Sequence, residues 1–114
     1  MRGILINPWT KEITEVQVGP DITDYYRLLS NPLGPKVDCM TIAEYFKNMD
    51  TMYVDDEGLL KSGMRLFDVG RADDSLLAGN GLILGSDRAG NSRDAKSSLV
   101  EIQCHIKWTN LRTA

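Results

Sequence analysis

Three consecutive acidic residues, Asp55, Asp56 and Glu57, form the densest group of carboxylates in the chain. Carboxylate oxygens can hold a divalent cation, and a metal-dependent hydrolase would use such a site. A calcium loop spaces its acids so that they converge, whereas consecutive side chains point in different directions. We therefore predict a solvated turn in which Gly58 adopts a positive φ, and no metal site. Binding of an arginine-rich protein partner or a cation is the functional alternative.

Residues 86–98 form a long polar segment between two predicted strands. Loops of this length are usually functional or disordered. Basic side chains interleaved with serine, asparagine and glycine can surround a phosphate group. We predict a mobile, solvated loop, and binding of a nucleotide-type ligand is the alternative. The ligand-binding residues would be Arg88, Asn91, Ser92, Arg93 and Lys96.

The two cysteines and the single histidine do not form a zinc set or a catalytic pair by any familiar spacing. Cys39 and Cys104 are predicted to be buried free thiols in a reducing compartment. His105 is predicted to lie on the polar face of a strand, as an ordinary surface residue. On a strand the adjacent Cys104 would face the opposite way, which disfavours a Cys–His dyad. No catalytic residue is predicted.

The glycines at 79, 81 and 85 invite comparison with a phosphate-binding loop. In a dinucleotide-binding fingerprint the glycines stand between a strand and a helix, so that the helix N-terminus faces the phosphates. Here they precede an apolar run typical of a strand. We predict a tight turn that enters a strand, and no bound cofactor.

The elements that position these residues follow from hydrophobic spacing. A short apolar run at residues 3–6 and period-two alternation at residues 13–18 predict an opening hairpin. Asp21 can cap a helix, and apolar residues at i, i+3, i+4 and i+7 between Ile22 and Leu29 predict that helix. Pro32 ends it, because proline cannot continue the hydrogen-bond ladder. The aromatic residues Tyr25, Tyr26 and Trp108 are predicted to serve packing.

Later segments are predicted to be mainly strands. Residues 37–46 favour a strand, with a helix at 41–48 as the alternative. Apolar residues at every second position from Val100 to Trp108 predict a final strand. Further strands are predicted at 51–54, 65–69 and 81–84. The predicted fold class is α+β, with a small, mostly antiparallel β-sheet and one or two short helices in a single domain over residues 1–114.

Charge and hydropathy exclude several classes of protein. The formal net charge is −3, with 13 basic and 16 acidic residues, which argues against nucleic acid as the main partner. Acidic residues outnumber basic ones in the first half, and the reverse holds in the second half. No apolar stretch is long enough to span a bilayer, and the first residues lack the apolar run of a signal peptide. A cytoplasmic protein is therefore expected.

Four stretches, at residues 3–8, 13–16, 53–61 and 77–85, resemble a bacteriophage and mobile-element family, domain of unknown function 3846. The likeness extends to about Asn91, and the third and fourth stretches are the specific ones. Asn7 stands where an aspartate is expected, and residues 31–36 fit less well. The family carries no established activity. The resemblance therefore implies only a setting, the cytoplasm of an infected bacterial host.

Three functional hypotheses follow. The first is a non-enzymatic phage accessory protein that binds a host or phage protein; free strand edges would also allow it to form a homo-oligomer. The second is a nucleotide-binding protein that sequesters a signal used in bacterial defence. The third, ranked last, is a metal-dependent hydrolase built on the acidic turn, since no nucleophile–base pair emerges.

Overall fold

The computed structural model describes residues 1–71 and 76–114. Within these ranges the chain is a small α+β fold of antiparallel strands and two short α-helices, which confirms the predicted class. The elements are β1 (Arg2–Asn7), β2 (Glu12–Gln17), α1 (Ile22–Leu29), β3 (Met40–Tyr45), β4 (Thr51–Asp55), β5 (Arg65–Asp68), β6 (Leu76–Ala78), β7 (Gly81–Ser86), β8 (Ser92–Arg93), α2 (Leu99–His105) and β9 (Lys107–Arg112). A 3₁₀ turn covers Gly58–Leu60.

The described strands form two sheets, where the sequence predicted one. The larger sheet has the order β2-β1-β7-β4-β3, and β8 pairs with the end of β7. The smaller sheet has the order β6-β5-β9. None of the described helices is long and apolar enough to cross a membrane.

Both faces of the larger sheet are covered, and β7 lies at its centre. Ile83 packs on one face with Phe67 of the smaller sheet and Ile102 of α2. Leu82 and Leu84 pack on the opposite face in a cluster that includes α1. Since every residue of β7 from Gly81 to Gly85 is buried, its sequence is almost continuously apolar.

Most of the local predictions are confirmed. The opening hairpin pairs β1 with β2, and Asp21 caps α1 by accepting a hydrogen bond from the backbone N–H of Thr23 at 3.1 Å. Residues 40–45 form a strand rather than the alternative helix. Gly79 adopts a φ of +82° in a tight turn that leads into β7, as predicted.

The predicted final strand is wrong over most of its length, because residues 99–105 form α2 and only the strand β9 follows. A capping box starts this helix: Glu101 N donates to Ser98 Oγ, and Ser98 N donates to Glu101 Oε1, both at 3.1 Å. Ile102 and Ile106, four residues apart, are buried, whereas Val100 is exposed. Apolar spacing of two also contains spacing of four, so the pattern was compatible with both structures.

The two cysteines were also predicted wrongly, since Cys39 and Cys104 are both exposed. Cys39 directly precedes the edge strand β3, and Cys104 lies on the outer side of α2.

Two hairpins close with the same loop geometry. In the first, Phe46 N donates to Asp50 O at 2.8 Å and Met49 N donates to Phe46 O at 3.0 Å. In the second, Asp87 N donates to Asn91 O and Gly90 N donates to Asp87 O. In each loop the next-to-last residue has a positive φ, which is +73° at Met49, before Asp50, and +87° at Gly90, before Asn91. Methionine therefore occupies a backbone position that favours glycine.

These matched loops generate a prediction. Met49→Gly should raise the free energy of unfolding by about 1 kcal/mol, because it relieves a left-handed conformation that costs an L-residue roughly that amount. Gly90→Met should lower it by a similar amount. Urea unfolding of both variants tests this, and a loss of stability in Met49→Gly would contradict the argument.

Candidate functional site

The acidic turn does not act as one group of carboxylates. The Asp55 side chain is buried, and its carboxylate accepts hydrogen bonds from Lys61 Nζ at 2.7 Å and Glu57 N at 2.9 Å. Lys61 Nζ also donates to the backbone oxygen of Lys36. Asp56 and Glu57 remain exposed. No described cluster of three His, Cys, Asp or Glu residues could hold a metal ion.

Gly58 is needed for space rather than for a positive φ, so that prediction is wrong. Its φ lies outside the left-handed region, and a Cβ at this position would stand 2.9 Å from the backbone oxygen of Ala78. The close approach seats the 3₁₀ turn against β6. It also directs the two following leucines outward, with Leu59 60% and Leu60 87% exposed.

We call the exposed surface of this turn the acidic ledge; it consists of Asp56, Glu57, Leu59 and Leu60. The ledge borders a crevice of about 180 Å³. Thr41 and Ala43 of the edge strand β3 form one wall, and Leu77 of β6 contributes to the lining. The exposed Asp56, Leu59 and Leu60 thus line a small, mainly apolar depression.

The segment 86–98 is not a loop without structure. Asp87 organises its first turn by accepting hydrogen bonds from the backbone N–H of Ala89 and Asn91. Ser92 and Arg93 then form β8, which pairs with β7. This region is a hairpin, in which Asp87 satisfies the backbone of the turn, followed by an irregular stretch whose backbone is bonded to Asp50 and Arg2.

The basic residues of this segment do not converge on a common point. Arg93 forms an ion pair with Asp87 at 2.9 Å, and Lys96 Nζ donates to the backbone oxygen of Asn48 at 3.2 Å. Asn91 uses its side-chain amide to bond Asp87, and Arg88 is exposed at the tip. The arrangement provides separate structural contacts and does not assemble a phosphate cradle.

The carboxylate of Asp50 is the most heavily bonded acceptor in the described chain. The residue is fully buried, and its oxygens accept hydrogen bonds from Lys96 N, Ser97 N and Ser97 Oγ at 2.7–3.1 Å. Ser97 Oγ in turn accepts a bond from the Asn48 side chain. Asp50 therefore joins the β3–β4 turn to the segment that precedes α2.

Sequence reasoning missed a contact between His105 and Glu44. His105 Nε2 lies 3.0 and 2.9 Å from the two carboxylate oxygens, and the imidazole packs edge-on against Phe46 at 5.3 Å. A β-bulge between Ile42 and Glu44 turns Ala43 and Glu44 toward the same face. A bulge leaves no clear signal in the sequence, so strict alternation would have placed Glu44 on the other face.

The His105–Glu44 pair borders a groove of about 320 Å³ that Ser97 and Glu101 also line. A histidine oriented by a carboxylate is part of many hydrolytic sites. The Ser97 hydroxyl, however, is buried and donates to Asp50 at 2.7 Å. The groove therefore has no free hydroxyl or thiol nucleophile among its described lining residues, and its contacts fasten α2 to β3.

A second groove, of about 390 Å³, lies beside α1 and the segment 36–38. Arg27 on its wall is held by Asp24, and the pKa of Asp24 is lowered by a hydrogen bond from Gly19 N and by Arg27. Tyr26 also lines this groove, and Tyr25 packs in the core. These contacts fit the predicted packing role of the two tyrosines.

Comparison with protein-family models, with curated proteins and with solved structures found no match for this chain. The resemblance of the four sequence stretches to a phage family therefore stays a prediction.

The Asp50 contacts generate a stability prediction. Asp50→Ala should lower the free energy of unfolding by about 3 kcal/mol, because Lys96 N and Ser97 N lose a charged, buried acceptor. The same change should cost less in a Ser97→Ala background, where one of its bonds is already absent. Asp56→Ala, an exposed acid in the same hairpin, is the control, expected to change stability by less than about 0.5 kcal/mol.

Asp87 generates a pH prediction. A hydrogen bond from Asn91 N holds the pKa of the Asp87 carboxyl below its ordinary range, helped by the Asn91 side chain and Arg93. The ionised Asp87 carboxylate therefore stabilises the turn at pH values above the ordinary aspartate pKa. This stabilisation is lost as the pH falls through the lower pKa of the folded state. An NMR titration of the carboxyl carbon should give a midpoint below that of aspartate in a short peptide. A midpoint at or above that reference would contradict the assignment.

Proposed function

We propose that this chain is a non-catalytic protein-binding domain and that the acidic ledge is its contact surface. The observation that carries the proposal is the exposure of Leu59 and Leu60, 60% and 87%, side by side on a fixed turn. Adjacent apolar side chains held outward beside a depression are typical of a surface that becomes buried in a complex.

The ledge is held in place by the surrounding structure. Leu60 N donates to Glu57 O at 2.9 Å, and Lys61 is anchored by both Asp55 and the backbone of Lys36. Gly58 is seated against Ala78. A rigid apolar anchor loses little conformational entropy on binding, which favours affinity.

The charges of the ledge indicate the chemistry of the partner. Asp56 and Glu57 are exposed; Lys61 is engaged by Asp55, and the exposed Lys36 lies beside it, because Lys61 also bonds its backbone oxygen. The exposed Asp38 lies close by, because Asp56 N donates to the backbone oxygen of its neighbour, Cys39. A protein surface with an apolar side chain for the crevice and basic residues around it would be complementary. In the setting that the sequence implies, this partner is a host or phage protein.

The two alternatives have weaker support. Nucleotide binding would need the cations of segment 86–98 to converge, but Arg93 and Lys96 are engaged in separate contacts. A metal-dependent hydrolase would need Asp55, which Lys61 neutralises within the turn. Protein binding is therefore the proposal that the geometry supports best.

Site-specific photo-crosslinking tests this proposal. A photoreactive amino acid at position 60 should capture a discrete protein partner from cells that produce the chain. The matched control is the same probe at Leu33, which is 70% exposed but lies after α1 and outside the ledge. This control should not capture the partner. Substitution of Leu59→Ser should weaken capture while changing stability by less than about 0.5 kcal/mol. Equal capture from both positions, or from neither, would refute the ledge as the contact surface.

A further inference from the structure

A second charged surface lies at the opposite end of the β3–β4 hairpin from the ledge. We call it the hairpin tip; it consists of Tyr45, Lys47, Met49 and Lys96. All four residues are exposed, and Tyr45 is 75% exposed. Lys96 belongs to the tip because its ammonium group bonds the backbone oxygen of Asn48. The ledge is therefore acidic and apolar, whereas the tip is basic and apolar.

The charges of both surfaces remain after neighbouring groups are considered. Glu44 faces His105 and so leaves the outer side of β3. Glu101 lines the same groove as Lys47 and keeps its negative charge, since its capping bond comes from the neutral Ser98 N–H, so Lys47 and Lys96 leave the tip with a net positive charge. At the ledge, Lys61 is paired with Asp55, and the exposed Lys36 is offset by the exposed Asp38, so Asp56 and Glu57 leave the ledge with a net negative charge.

The strained backbone at Met49 is a second observation that points to the tip. A positive φ of 73° in a non-glycine residue is costly, and the equivalent loop carries glycine at position 90. Met49 nevertheless extends an apolar side chain that is 40% exposed, and Ser86 bonds its backbone oxygen at 2.6 Å. Retaining a side chain at this position is consistent with a contact made by it.

We propose that the acidic ledge binds the hairpin tip of a second copy of this chain, and that two copies pair about a two-fold axis beside β3. This inference rests on the proposed function and names the partner of the same surface. The ledge and the tip lie at opposite ends of a five-residue strand, about 17 Å long. Antiparallel placement of two hairpins brings the ledge of each copy to the tip of the other, which gives two identical contacts.

Side chains make this contact, without a continuous ladder of backbone hydrogen bonds between the two β3 strands. Among the described strands β3 pairs only with β4, so its outer edge is open. The bulge at Ala43 interrupts the regular spacing of backbone groups along that edge. Bulges of this kind oppose edge-to-edge pairing. Pairing of Lys47 with Glu57 of the other copy, with the leucines against Met49, fits this geometry.

Charge reversal with recombination tests the proposal. Sedimentation equilibrium of the unmodified chain, from micromolar to millimolar concentration, should show a monomer–dimer equilibrium that weakens at high salt. Lys47→Glu and Glu57→Lys should each raise the dissociation constant at least about tenfold. An equimolar mixture of the two variants should associate to within about threefold of the original constant, because both contacts are then between opposite charges.

The outcomes separate the two proposals. The two-fold pairing would be overturned if the chain stays monomeric at every concentration, if the charge reversals leave the dissociation constant unchanged, or if the two variants do not associate when mixed. Species larger than a dimer would indicate head-to-tail contacts and would overturn it as well. If the chain is monomeric while the probe at Leu60 captures a different protein, the proposed function stands and only the identity of the partner is wrong. Lys11→Glu, on the β1–β2 turn, is the control and should leave the dissociation constant unchanged.

Discussion

A buried carboxylate with four hydrogen bonds is the constraint on which much of this structure depends. Asp50 cannot be buried as an anion unless donors surround it, and those donors are Lys96 N, Ser97 N and the Ser97 hydroxyl, with Asn48 at longer range. The same segment is fastened from its other side by Arg2, whose guanidinium bonds the backbone oxygens of Ala95 and Ser97. The start of α2 is therefore fixed by contacts with both β1 and the β3–β4 turn.

The consequences reach both proposed surfaces. With α2 in place, His105 meets Glu44, and the carboxylate that would otherwise charge the edge strand is drawn inward. The outer side of β3 is left with apolar and hydroxyl side chains such as Ile42 and Tyr45. One end of the hairpin carries the acidic ledge and the other carries Lys47, and the contact of Glu44 with His105 keeps a carboxylate off the outer side between them.

The sequence allowed prediction of elements whose signals are local. The Asp21 cap and the spacing from Ile22 to Leu29 were sufficient for α1, and alternation was sufficient for β2. The final segment was not predictable from periodicity, because Ile102 and Ile106 satisfy both periods; the Ser98–Glu101 capping box decides for the helix. The candidate site was only partly predictable. The acidic turn was located, but the inward rotation of Asp55 depends on Lys61 and on a crevice wall from β6. Such non-local contacts have no counterpart in a one-dimensional pattern.

The bulge in β3 has a consequence for changes in chain length. Edge strands and the turns beside them usually tolerate insertions and deletions. In β3 two residues, Ala43 and Glu44, stand opposite Met52; Ile42 shares a side with Tyr53, and Glu44 lies on the side of α2. Deleting Ala43 or Glu44 would leave a single residue opposite Met52 and keep the faces of the rest of the strand, whereas deleting a residue elsewhere in β3 would force the residues between it and the bulge to exchange their inner and outer sides. In homologous chains that keep this architecture, loss of the bulge is therefore the length change that we expect to be tolerated within β3.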